Sequence, residues 1–544
     1  MVLRGGKIVT VEREMPEVQA VAIRGDRIVA AGTNDEIAAF VGPRTEVIEL
    51  AGRMAMPGFI EGHAHFTGLG ESRMRLDLME AGSWDEIVRL VAAAVKTARP
   101  GDWIVGRGWH QEKWNAVPAP SVEGFPVHTA LSAVSPDNPV LLTHASGHAS
   151  IANARAMAAA GITARTANPP GGEILKDASG QPTGVLRETA SGLVGRALSQ
   201  WSEGRSAAER AADRRRAIEL AVTTALENGI TSFQDAGSSV ETVKDFNDAL
   251  DEGLLGVRLW VMVRDTPAAL RRHLPAIRVV GKGDHHLTVA AIKVTIDGAL
   301  GSRGAWLLEP YSDLPGHTGL NTVPIATLEE IATIAMDTDT QLCVHAIGDR
   351  ANREALDVFE AAFKANPGRR DPRWRIEHAQ HLHPGDIPRF ARLGVIASMQ
   401  GIHCTSDAPF VPARLGDRRS EEGAYVWRRL IDSGAVVTNG TDAPVERVSP
   451  IASFEASVTR RLGDGSTFYP GQRMTREEAL RSYTINAAYS AREEAVKGSI
   501  AVGKLADITV LSQDIMTVPD ERLRDTRVVF TIVGGKVAYD ARTP

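Results

Sequence analysis

QLCVHAIGDRANREALDVFEAAFKANPGRRDPRWRIEHAQ, residues 341–380, is the stretch whose reading decides the architecture. It opens on an apolar run that ends at His345. ANREALDVFEAAF (351–363) follows, with apolar residues at helical spacing, and then a turn rich in Pro, Gly and Arg. RWRIEHAQ (373–380) returns as a second apolar run, ending at His378. Strand, amphipathic helix, strand is a βαβ unit, the crossover that parallel neighbours require.

The same alternation extends in both directions. Upstream lie LTVAAIKVTIDG (287–298), RLWVMV (258–263) and ITSFQDAG (230–237), the last preceded by the helical stretch 206–229. Downstream lie VIASMQGIH (395–403) and VVTNGTDAP (436–444), and ATLEEIATIAMDT (326–338) is a further amphipathic segment. With MPGFIEGHAHF (56–66) as the first strand there are eight, the count of a (β/α)8 TIM barrel at about 30 residues per unit. Both ends of the chain read differently. GKIVTVE (6–12), AVAIRGDRIVAAG (20–32) and TEVIELAG (45–52) alternate apolar and polar residues around Gly-Asp turns, as do DITVLS (507–512) and the Gly-Gly hairpin VVFTIVGGKVAYD (528–540). The expectation is an α/β protein of three parts. Residues 1–57 and 497–544 form a small β-sandwich built from both chain ends; 58–66 and 206–496 form the barrel. Residues 67–205 form a subdomain inserted after barrel strand 1 and contributing to the pocket, with strand candidates DWIVGRGW, PVLLTHAS and GEILKD.

Composition excludes several classes. Among 544 residues, 43% are hydrophobic and 24% charged, which rules out disordered and fibrous chains. Lys plus Arg number 61 against 67 Asp plus Glu, a net charge of −6, which is no footprint for nucleic acid or an anionic membrane. The two cysteines, Cys343 and Cys404, make no disulfide scaffold and suit a reducing compartment. The opening MVLRGGKIVTVERE lacks the apolar core of a signal peptide, and there is no apolar run of about 18 residues, so a cytoplasmic chain without a membrane span is expected.

Barrel active sites are built at the C-terminal ends of the strands. There the sequence places His63 and His65 (strand 1), Lys293 (strand 4), His345 (strand 5), His378 (strand 6) and Asp442 (strand 8). Residues i and i+2 of a strand share a face, so both strand-1 imidazoles aim the same way. Four histidines with a carboxylate suit zinc or another divalent first-row metal. Burial lowers a lysine's pKa, and the neutral amine of Lys293 could then take up CO2 as a carbamate able to bridge two cations. Asp442 could both bind metal and serve as general base on a metal-activated water. Each residue alone has a bland reading: a satisfied polar His, a buried ion-pair Lys, an Asp that caps a turn. Six such residues at the ends of five of eight strands make coincidence a poor explanation.

The chain resembles the amidohydrolase superfamily of metal-dependent hydrolases. The resemblance rests on PGFIEGHAHF (57–66) and on the Lys, His, His and Asp that follow in that order on strands 4, 5, 6 and 8. More narrowly it is similar to the branch containing N-substituted formamide deformylase, through GRGWHQEKW, SPDNPVLLTHASGHASIAN, PPGGEILKDASGQPTGVL, IKVTIDGALGSRGA, VHAIGDRANREALD, RIEHAQ and NGTDAPV. The resemblance implies that His63 and His65 bind the more buried metal and that Lys293, as a carbamate, bridges two metals. It further implies that His345 and His378 hold the second metal, and that Asp442 binds the first and shuttles the proton. It implies hydrolysis of a C–N amide bond, an N-substituted formamide or related acyl amide, by a homodimer. One departure is GRGWHQ, with His110, where the branch reads GRGWDQ; if that loop lines the pocket, the substrate can differ from the branch's named activity.

Further candidates for substrate contact are His148 in the insert, Asp297 and Arg303 after strand 4, and His403 at the end of strand 7. Cys343, one layer deeper than His345, reads as a core thiol. Trp84, Trp103, Trp109 and Trp114 read as packing, and His285 and His286 lie at the opposite end of the barrel. A deaminase or cyclic-amide hydrolase is the alternative reading, but the strand-5 motif HAIGD lacks the HxxE arrangement of such deaminases. A non-catalytic scaffold would have shed metal ligands, whereas all six candidates are present.

Overall fold

Eight parallel strands form the centre of a computed structural model that describes residues 1–542 except Glu112, Lys113, Ser146, His148, Gly171 and Ser302. The strands are β1 (Phe59–Ala64), β2 (Ile230–Ser238), β3 (Arg258–Val263), β4 (Leu287–Thr295), β5 (Gln341–Ala346), β6 (Arg375–His378), β7 (Ile396–Gln400) and β8 (Val437–Gly440). They pair in chain order, each parallel to the next. Helices such as Ile325–Asp337 and Asp349–Ala365 carry the chain back, burying one apolar face each. This is the TIM-barrel class that the strand count indicates.

The barrel closes at its functional end. Asp442 N–H donates to His63 O and His65 N–H donates to Ala443 O, each at 2.8 Å, joining the last strand to the first. The seam has room only for glycine. A Cβ at Gly62 would lie 2.4 Å from Asn439 O, and one at Gly440 would lie 2.5 Å from Glu61 Oε1 and 2.6 Å from His63 N.

The stretch 56–66, which reads as one strand, is two. Met54–Pro57 belongs to a separate six-stranded sheet, while Phe59–Ala64 enters the barrel. That sheet sets Met54–Pro57 beside Ile508–Leu511 from the far end of the chain, and a four-stranded sheet holds Val2–Arg4 and Ala20–Arg24. Leu3, Ile8, Val21, Ile23, Ile508, Val510 and Ile532 fill the space between them. Buried Arg258 at the foot of β3 joins the two parts, with Nε 2.7 Å and Nη2 3.0 Å from the Asp507 carboxylate.

Residues 67–220 form a second compact unit. Its sheet contains Ile104–Trp109, Val140–His144, Ala149–Ala152, Gly172–Lys176 and Pro182–Glu188. Trp84, Trp109 and Trp114 pack together in one core of this unit, and Trp103 packs against another. Among the described residues, no helix is long and apolar enough to cross a membrane.

Candidate metal centre

His63, on β1, is fully buried with both ring nitrogens engaged. Nδ1 lies 2.5 Å from Glu377 Oε2, while Nε2 faces Lys293 Nζ at 3.4 Å and Asp442 Oδ1 at 3.6 Å. His65 Nε2 lies 3.2 Å from Asp442 Oδ1, and its side chain is 36% exposed, so the bowl opens to solvent on the His65 side. His378 sits with its ring 4.7 Å from that of His63 and 4.4 Å from that of His345. Its Nδ1 is 2.7 Å from Gln400 Oε1. His345 turns Nε2 toward Asp297 Oδ1, 3.4 Å away. In His63 and His378 Nδ1 meets an oxygen of the surrounding protein, which leaves Nε2 free for another partner.

Local backbone makes this convergence possible. On a regular strand successive side chains alternate faces, so Glu377 and His378 would point apart. His378 has φ 76° and Ala379 φ 43°, the left-handed region that non-glycine residues seldom enter, and the His378 ring packs beside His63, which Glu377 also contacts. Asp442, just past the end of β8, has φ 56°. Two candidate ligands thus carry backbone strain that the closed barrel maintains.

Electrostatics favours the metal-binding forms. Burial, reinforced by the Lys293 charge, lowers the pKa of His63 to about 4 and holds His345 well below the usual histidine range. Burial likewise holds His378 low, so all three imidazoles are neutral donors. Lys293 is lowered by burial to about 8. Burial pushes Asp442 up, but the imidazoles of His403 and His65 outweigh it and keep the carboxyl well below the usual range. Burial also works against the Glu377 carboxylate, and Arg375 and His63 more than offset it. His403 behaves oppositely: burial lowers it, yet Asp442 and Glu446 raise it to about 10.

The donor set fits a divalent cation. The donor atoms of His63, His65 and Asp442 lie within 4.8 Å of one another, as do those of His378, His403 and Asp442. Among the described residues, buried Asp442 Oδ1 has His65 Nε2 3.2 Å away but no hydrogen bond of regular geometry. A buried anionic oxygen facing neutral imidazoles is the environment a metal ion satisfies.

The six candidate ligands lie together, and of the substrate candidates His403 and Asp297 lie directly against them. His403 does not end a strand: β7 stops at Gln400, and His403 lies in the helix Gly401–Asp407, with Nε2 3.3 Å from Asp442 Oδ2 and Nδ1 3.7 Å from Glu446 Oε1. Asp297 is buried behind His345 and accepts the backbone N–H groups of Trp306, Ile347 and Gly348 at 2.8–3.0 Å, so it ties loops together. Arg303 pairs with Asp313 at 2.8 Å. His110 belongs to the 67–220 unit, its ring 4.5 Å from that of His144, and His148 lies outside the described residues. Sequence reading missed Glu61, Arg375, Glu377, Gln400 and Glu446. The alternation of Arg375 and Glu377 in RIEH, two charges on the same face of a barrel strand, was the available signal. Buried Glu61 accepts Thr441 N–H at 2.6 Å and the Thr441 hydroxyl at 3.1 Å, bracing the loop that carries Asp442.

Residues 46–539 match the Amidohydrolase family. The chain belongs to this family. It is 32% identical to protein LONG AFTER FAR-RED 3 of Arabidopsis thaliana, over 99% of this chain and 91% of that protein. It is 28% identical to N-substituted formamide deformylase of Arthrobacter pascens, over 98% of this chain and 96% of that one. Its fold is similar to that of an uncharacterized metal-dependent hydrolase from Pyrococcus horikoshii, with a TM-score of 0.78 and 25% identity over 96% of this chain and 99% of that one. This amidohydrolase is a metal-dependent hydrolase, and the donors above are the residues that fit its metal.

Proposed function

We propose that this amidohydrolase cleaves the C–N bond of a small acyl amide, an N-substituted formamide or near relative, with zinc as its metal. The observation that carries the reading is the convergence of His63, His65, His378 and His403 on Asp442, supported by full-length similarity to N-substituted formamide deformylase. His63, His65 and Asp442 would hold one metal ion, and His345 and His378 a second. Burial lowers the Lys293 ammonium beside His63 to about 8, and the fraction that has lost its proton would add to CO2 with release of a further proton, giving a carbamate that could serve as an additional anionic ligand. Bound there, the metal supplies Lewis acidity that polarises a carbonyl and acidifies water.

The chain's own residues do the rest. Asp442, anionic and fixed on one side by His65 and on the other by His403, takes the proton of the attacking water and returns it to the departing amine nitrogen. His403, between Asp442 and Glu446, keeps the carboxylate turned to the centre. The test is incubation of zinc-loaded protein with a panel of N-formyl and N-acetyl amines, measuring formate and free amine together. Stoichiometric formate and amine are expected; release of amine from acetyl or bulkier amides without formate overturns the formamide assignment.

A further inference from the structure

Arg375 is the least expected residue in the barrel interior. Such interiors are usually layered with branched aliphatic side chains, yet this guanidinium is fully buried at the height where β1, β2, β6 and β7 converge. Nη2 donates to Gly62 O on β1 at 2.7 Å and to Ser398 Oγ on β7 at 2.8 Å; Nη1 donates to Gln234 Oε1 on β2. The guanidinium also lies over the Trp260 ring of β3, 5.4 Å from its centroid. Its charge partner is Glu377, two residues along the same strand, with Nε 2.7 Å from Oε1 and Nη2 3.0 Å from Oε2. Burying an ion pair seldom gains stability over well-packed apolar side chains, so this one calls for a use beyond packing.

The use lies in where Glu377 ends. Oε2, already fixed by Arg375, sits 2.5 Å from His63 Nδ1, with both side chains essentially inaccessible to water. An ionised carboxylate only accepts hydrogen bonds, so the ring proton of His63 belongs on Nδ1 and the lone pair on Nε2, which faces Lys293 and Asp442. We propose that Glu377, clamped by Arg375, is a positioning residue that fixes the tautomer and direction of His63 and so sets how tightly this centre holds its metal. The proposal rests on the reading of His63 as a metal ligand. Gln400 gives His378 a neutral acceptor for the same purpose, so His63 is the more basic ligand of the two.

The test uses full-length zinc-loaded protein and two readouts besides turnover. Competition with a chromophoric chelator measures zinc affinity in wild type, Glu377→Gln and His63→Asn. Long-range proton–nitrogen spectra of protein labelled with [15N]histidine report the His63 tautomer, assigned by the signal lost in His63→Asn. The expected results are a wild-type Nδ1–H tautomer and zinc affinity roughly 10–100-fold weaker in Glu377→Gln, with unchanged far-ultraviolet circular dichroism. Affinity within threefold of wild type in a folded Glu377→Gln overturns the proposal, as does an Nε2–H tautomer in the wild type, which decides the matter even if the variant does not fold. Undiminished zinc binding in His63→Asn would instead overturn the metal-centre reading itself.

Discussion

Replacing Asp442 by asparagine changes almost nothing but charge and proton affinity. The side chain is buried, flanked by His65 Nε2 at 3.2 Å and His403 Nε2 at 3.3 Å, and an amide of the same volume fits the same space. The amide oxygen still accepts from His403, but it cannot take a proton from water near neutral pH. Positioned general bases contribute about 10²–10⁴-fold, equivalent to about 2.7–5.5 kcal/mol of barrier. Asp442→Asn should therefore lower kcat by that range, with KM changed only a few-fold, when assayed by formate release at zinc concentrations that equalise metal content between the two proteins. Metal content is measured on the same samples, because Asp442 is also a candidate ligand. A kcat within tenfold of wild type at equal metal content would refute the assignment of Asp442 as base.

Arg258→Met, which strips buried Asp507 of its partner, should cost about 3–5 kcal/mol in urea unfolding. Burial pushes the Asp507 carboxyl up, but Arg258 holds it below its ordinary 3.8; the difference between wild type and variant is thus full at neutral pH and shrinks on acidification, first above 3.8 as the unpartnered Asp507 of the variant is protonated and then below it as the wild-type pair is lost, and a difference that peaks in acid would refute the account. His381 is buried with neither ring nitrogen hydrogen-bonded among the described residues, and burial lowers its pKa from 6.5 to about 3. Between those values the unfolded chain binds the extra proton, so wild-type stability falls with acid by about 1.4 kcal/mol per pH unit from this residue, and His381→Leu should remove that share of the slope. Gly440→Ala forces a methyl group against Glu61 and the His63 backbone and should cost about 1–3 kcal/mol while weakening zinc binding; a variant with native stability and affinity would show that the seam gives way.

Much of this protein is legible in its sequence. The spacing of apolar runs and amphipathic helices specifies a parallel barrel, because parallel strands need crossovers and the period of each segment names its conformation. Strand ends name the candidate ligands, since the polar residue closing an apolar strand faces the bowl, and His63 and His65 share a face by simple alternation. His403 was misplaced because a chain that turns directly from strand to helix leaves no local mark of the join. Glu377 escaped because alternation sets it opposite His378, whereas in the fold both side chains contact His63.

What the sequence determined by itself is the set of elements and the kinds of donor, since both follow from short-range period and residue chemistry. Tertiary structure alone decided which nitrogens of His63 and His378 are tied to the protein, which carboxylate faces His63 across 314 residues of chain, and how Asp442 is braced. Those choices depend on contacts between distant strands in a water-free interior, where a shift of one ångström exchanges a hydrogen-bond partner for an unpaired charge, and local sequence carries no record of distances of that kind.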